Sequence, residues 1–145
     1  MQLKNPAELP ARMGLDTPER VLLVDSPEEL TARLAASRPA PKATVETSGS
    51  AIRAVKDLFD AVLVWREDRG GSRSIFDGAL KRLDPGGALW VVTALKKVRG
   101  PLTPAIHRLE LSDLLKAFEK EGLTHDRDVR VSAWHVAYRF VRRKA

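Results

Sequence analysis

Three short runs, VLLV at Val21–Val24, AVLVW at Ala61–Trp65 and ALWVVT at Ala88–Thr93, carry apolar residues at successive rather than alternate positions. A strand that shows one face to water alternates apolar and polar residues. A strand apolar throughout is covered on both faces, the condition of a parallel sheet held between two helical layers. The segments between the runs agree with this. A helix is predicted from Pro27 to about Ser37, with Leu30 and Leu34 one turn apart on its buried side.

Further along, Ala43–Thr47 is a short β-branched strand candidate, and a helix is expected after Ser50 from Ile52, Val55 and Phe59. Gly70 and Gly71 precede a helical stripe of Ile75, Phe76, Ala79, Leu80 and Leu83, which ends at the turn residues Asp84–Gly87. Ser112 is the expected cap of a last helix carrying Leu111, Leu114, Leu115 and Phe118, with Gly122 as its stop. At the start, Asn5, Pro6 and Glu8 predict a short capped helix ended by Gly14. Thr124–Arg142 holds two alternating stretches with no helix between them, an antiparallel hairpin turning near Ser132–His135. The pattern predicts one α/β domain over residues 1–145. Residues 1–19 supply an N-terminal helix and linker, and residues 20–145 the sheet and its helices.

Cysteine is absent, which excludes disulfides, thiolate metal sites and cysteine nucleophiles. The longest apolar run falls far short of the roughly 20 residues needed to cross a bilayer, and MQLKNPAELP lacks the order of a signal peptide, so a cytoplasmic protein without membrane contact is expected. The net charge of +6 is uneven: residues 1–60 hold 8 basic and 9 acidic side chains, and the remainder 17 and 10. The second half therefore suits an anionic partner, whether nucleotide, nucleic acid or another protein, although a merely solvated basic surface has the same composition.

The turn after the first strand contains no glycine. Ser26 is placed as N-cap, Pro27 as a first helical residue with no N–H, and Glu29 as the reciprocal carboxylate of a capping box. Asp25, Glu28 and Glu29 add negative charge that suits a helix N-terminus and repels phosphate. A turn built to bind a cofactor uses glycine so that free backbone amides approach the ligand, so this one is expected to be structural.

FDAVLVW at Phe59–Trp65, then a helix, then LDPGGALWVV at Leu83–Val92 and the terminal hairpin, resemble the later part of class I methyltransferases that use S-adenosylmethionine. The resemblance spans Val21 to Arg142. It implies a mostly parallel, Rossmann-like sheet with one reversed strand near its edge, flanked by helices. The arrangement also looks like a small uncharacterised bacterial family of methyltransferase-like domains, in which GALWVVTALKK (Gly87–Lys97) and RFVRRK (Arg139–Lys144) are the recognisable stretches. About a dozen residues separate the second strand from Ala61, where the full family places a further helix and strand, so a truncated sheet is expected. The resemblance implies that Asp25 and Ser26 border any cofactor, with Asp25 facing the cationic sulfonium, and that Glu46 holds a ribose hydroxyl. The departures favour a noncatalytic domain with no bound cofactor. A working methyltransferase with an atypical cofactor loop is the alternative.

Other signatures are missing. His107, His125 and His135 form no metal motif, and there is neither a GxSxG nucleophile turn nor a phosphate loop. A basic rim remains: Arg66, Arg69 and Arg73 follow one predicted strand, and Lys96, Lys97 and Arg99 follow another. Parallel neighbouring strands would gather these six charges at one carboxyl edge as an anion-binding surface. The Arg142, Arg143 and Lys144 tail adds to the positive potential. Trp65 and Trp90 are expected in the core and Trp134 at the surface.

Overall fold

The computed structural model describes residues 2–18, 20–95, 98 and 103–142. In chain order the elements are α1 (Leu9–Arg12), β1 (Arg20–Val24), α2 (Glu28–Ala36), β2 (Ala43–Thr47), β3 (Phe59–Trp65), α3 (Ser72–Lys81), β4 (Leu83–Ala94), α4 (Leu111–Glu119), β5 (Leu123–Arg130) and β6 (His135–Arg142), with 3-10 turns at Ile52–Ala54 and Ala105–His107. The strands form one sheet in the order β2-β1-β3-β4-β6-β5. The pairs β1–β2, β1–β3 and β3–β4 are parallel, and β6 runs antiparallel to both β4 and β5. The truncated, mostly parallel α/β sheet with a C-terminal antiparallel pair is as expected, and β2 ends it where the further strand is missing.

The unbroken apolar runs follow from this layering. Leu22, Val24, Val62, Val64, Leu89 and Val91 point to one side, beneath α3, α4 and the Ile52–Ala54 turn. Their neighbours Val21, Leu23, Ala61, Leu63, Trp90 and Val92 point to the other, beneath α1 and α2. Both side-chain parities of each central strand are thus buried. Phe76, Phe118 and Phe140 stack through the α3–α4 side at centroid separations of 5.1 and 4.9 Å, within the range of favourable aromatic pairs. Trp90 is fully buried, Trp65 is packed against the α1–α2 side, and Trp134 is half-buried rather than exposed.

Several local expectations are corrected. The segment expected as a helix through Ile52, Val55 and Phe59 is a single 3-10 turn, and Phe59 begins β3. The turn is held by Arg82, whose guanidinium donates to the carbonyls of Arg53 (2.9 Å), Val55 (2.9 Å) and, in α3, Gly78 (3.1 Å). The Arg53 and Val55 carbonyls are held toward Arg82, and Val55 leaves the turn in an extended conformation (ψ 125°). Leu83 likewise opens β4 instead of closing α3. Asp84–Gly87 is an irregularity inside the β4 ladder: Leu83 is in register with Phe59, and Ala88 already with Ala61. The last helix is capped by Glu110 and Asp113, the Glu110 amide donating to Asp113 Oδ2 at 2.8 Å, and not by Ser112. The first helix is one turn, with no side-chain cap, starting after Glu8. Gly14 and Gly122 follow α1 and α4 in the left-handed conformation, as expected of helix stops.

Candidate functional site

In a sheet wound this way, ligands bind beyond the carboxyl ends of the strands at the point where the winding reverses. Here the chain leaves β1 toward β2 and then returns to β3 on β1's other side, so the reversal lies between the ends of β1 and β3. The residues there are Asp25 after β1, the Ser48–Ser50 loop after β2 and the Arg66–Gly71 loop after β3.

Asp25 is in the left-handed region, φ +55°, which aspartate tolerates better than most residues. Its amide donates to Thr47 O (2.9 Å), and its Oδ2 accepts the Gly49 N–H (2.9 Å). Gly49 in turn lies against Ile75 of α3, so closely that a Cβ there would stand 2.6 Å from Ile75 Cδ1 and 3.0 Å from Asp25 Oδ2. The loop after β2 therefore bridges the turn after β1 and the helix after β3, across the reversal point.

The expected capping box at Ser26 is absent. Pro27 is the N-cap (φ −66°, ψ 151°), with no side-chain cap bond. Ser26 accepts a hydrogen bond from Thr31 Oγ1 at 3.1 Å and donates to Pro27 O at 3.4 Å. Helix α2 starts one residue later than expected, so Ser26 and Glu29 no longer stand at the capping positions. Of the three residues implied by resemblance, Asp25 and Ser26 are adjacent at the reversal point. Glu46 is exposed on β2, in register with Leu23 and on the side opposite Val45, which packs toward α3 and α4.

The basic rim divides. Arg66 is folded back onto its own loop, donating to Asp68 O at 3.1 Å and to Gly70 O. Arg69 pairs with Asp113 Oδ2 (3.2 Å) and donates to Arg108 O (3.2 Å), joining the loop after β3 to the start of α4. Arg73 is exposed on the first turn of α3. Lys96, Lys97, Arg99, Arg143 and Lys144 lie outside the described residues. Arg108 is buried, donating to the carbonyls of Leu95 (2.8 Å), Val98 (2.8 Å) and Thr103 (2.9 Å).

Near Thr103 lies a buried polar chain that sequence reading missed. Trp134 N–H donates to Ser132 Oγ (3.1 Å), Ser132 Oγ is 2.8 Å from His135 Nδ1, and His135 Nε2 is 2.7 Å from Glu67 Oε2. Thr103 N–H donates to Glu67 Oε1 at 3.2 Å. With the hydroxyl donating to Nδ1 and Nε2–H donating to the carboxylate, every member is satisfied. Serine, histidine and carboxylate here join the hairpin turn, the loop after β3 and the segment before η2 at Ala105–His107. Ser132 and His135 are 1% and 3% exposed, and the hydroxyl already accepts a backbone amide, which makes the trio a structural tie rather than a nucleophile. Only His135 had drawn notice in the sequence, because Glu67 lies 68 residues away and no local spacing announces the pair.

Two further basic residues, Lys116 and Lys120, stand one turn apart near the end of α4 and face Arg69 and Arg73 across a cleft of about 210 Å³ between α3 and α4. This cleft also escaped sequence reading, because it forms only when the two helices pack side by side. Among the described residues, no three His, Asp or Glu side chains group to hold a metal ion, and no helix is long and apolar enough to cross a membrane.

No protein-family profile matches the chain, and no curated protein matches it. Solved structures do. Mitomycin 7-O-methyltransferase MmcR is similar with a TM-score of 0.70 at 13% identity, over 95% of this chain and 53% of its own. A putative type 11 methyltransferase from Sulfolobus solfataricus gives 0.67 at 13% over 99% and 95%. Magnesium protoporphyrin IX methyltransferase from Synechocystis PCC 6803, solved with bound SAH, gives 0.66 at 10% over 94% and 80%. The fold is the methyltransferase-like Rossmann fold of class I S-adenosylmethionine-dependent enzymes. The chain spans about half the length of MmcR.

Proposed function

We propose that this chain is a noncatalytic methyltransferase-like domain that acts as a binding module for an anionic partner. One observation carries the first half of the reading: Gly49 is held between the Asp25 carboxylate and Ile75, where an adenosyl group would have to enter. A carboxylate that already accepts a backbone amide, and a loop packed on the next helix, leave less room and fewer free groups at the reversal point. The absence of glycine from the turn after β1 supports the same reading.

The second half rests on charge. The basic excess lies after residue 60, where 17 basic side chains stand against 10 acidic ones. Nucleotides, nucleic acids and acidic proteins share the chemistry such a surface attracts. The rival reading is an active methyltransferase in which Asp25 faces the sulfonium and Glu46 the ribose. Thermal unfolding with and without S-adenosylmethionine separates the two. Bound ligand at about 100 times its dissociation constant stabilises a protein by about 2.7 kcal/mol, a shift of several degrees. The proposal expects no shift at millimolar ligand, and a saturable rise would establish the rival.

A further inference from the structure

The cleft between α3 and α4 has an apolar floor and cationic walls. Phe76, Leu80 and Leu109 line the floor, with Leu80 half-buried and the other two buried. Arg69, in the loop after β3, and Arg73, on the first turn of α3, stand on one wall, and Lys116 and Lys120, one turn apart at the end of α4, on the other. Asp113 is already committed to Arg69 and to the Glu110 amide, which leaves the cationic side in excess. The cleft is not a closed cup. Asp77 and Leu80 also line a second hollow of about 420 Å³, which runs on to Lys81, Glu121 and Arg142. Together they form a groove along α3.

We infer that this groove binds an acidic, amphipathic segment of a partner protein. The inference rests on the reading that the domain binds an anionic partner, and gives that partner a class and a place. A segment with apolar side chains three or four residues apart would set them on Leu80 and the floor, with flanking carboxylates reaching Arg73, Lys116 and Lys120. Single-stranded nucleic acid fits less well, because it needs exposed aromatic faces on which bases stack. Phe76 and Phe118 are instead buried against each other. An elongated groove with two rows of cations suits a segment better than a small anion.

The test uses the whole chain and a labelled synthetic peptide of roughly 15 residues, with leucine on one helical face and glutamate on its flanks. A peptide with lysine for every glutamate and a single-stranded oligonucleotide serve as comparisons. Fluorescence anisotropy should show saturable binding of the acidic peptide that weakens as salt rises, with no binding of the basic one. The triple variant Arg73→Glu/Lys116→Glu/Lys120→Glu should lose at least about tenfold in affinity, as removal of several facing charges does. Leu80→Ser should weaken binding at unchanged charge, and Arg33→Glu on α2 should leave it unaltered. Circular dichroism checks that each variant is folded. No binding of the acidic peptide, or equal binding by the triple variant, would overturn the inference. Oligonucleotide binding lost in the triple variant would overturn it in favour of nucleic acid. If the acidic peptide fails while the oligonucleotide binds both wild type and triple variant, the groove falls and the anionic-partner reading stands. If neither binds, both fall.

Discussion

Asp25 does two things that few residues can do together: it tolerates a positive φ and it accepts the Gly49 amide. Asp25→Ala is therefore expected to lower stability by about 1–2 kcal/mol, because alanine takes the left-handed strain and leaves the amide without its acceptor. Asp25→Asn, which keeps both abilities, should cost well under that, and urea unfolding compares the two directly. His135→Ala is expected to cost more, about 2–3 kcal/mol, since it leaves Ser132 and Glu67 without a buried partner as well as a void. The carboxylate of Asp126 accepts two hydrogen bonds from Arg139, each 2.8 Å. Those bonds hold its pKa below the ordinary 3.8, against the opposing effect of partial burial. A folded pKa that is lowered gives stability present above the unfolded value and lost as pH falls through the folded one. Acid titration of stability should thus be steeper in wild type than in Asp126→Asn below about pH 4. At neutral pH the difference should stay within about 1 kcal/mol, because the pair is partly exposed to water.

Among the elements, those with a strong local period were legible, and those decided by a distant side chain were not. The central strands announced themselves because both their faces are buried, and α3 and α4 because their apolar stripes fit one helix face. The segment after Ser50 reads as a helix in isolation. It is one 3-10 turn whose carbonyls are held by Arg82, nearly thirty residues on, and nothing local in the sequence signals that. Arg82→Met, which keeps length but cannot donate, is expected to destabilise by about 2–3 kcal/mol through lost charge-assisted bonds. Hydrogen exchange around Arg53–Val55 should rise with it, and unchanged protection there would contradict the explanation. Gly87 tests the β4 irregularity in the same way. An added Cβ would stand 2.7 Å from the backbone oxygen of Asp60, so Gly87→Ala must move a strand and should lower stability by about 1–3 kcal/mol. The capping box expected at Ser26 failed for a related reason, because a shift of one residue at the helix start removes the spacing on which it depends.

Across the whole molecule, the chain keeps the methyltransferase-like sheet, lacks one edge strand and bridges the reversal point with the loop after β2. The truncation was legible from the short interval between β2 and β3. The bridge was not, because it depends on Asp25, Gly49 and Ile75 meeting from two loops and a helix. The same distance in sequence hid the α3–α4 groove, whose two rows of cations lie more than forty residues apart. The most direct test of the proposal that the reversal point takes no adenosyl ligand is an amide-resolved NMR titration with S-adenosylmethionine. The account predicts that the Asp25 and Gly49 amide resonances stay in place up to millimolar ligand. Saturable movement of both, with the Gly49 amide losing its protection from exchange, would contradict it.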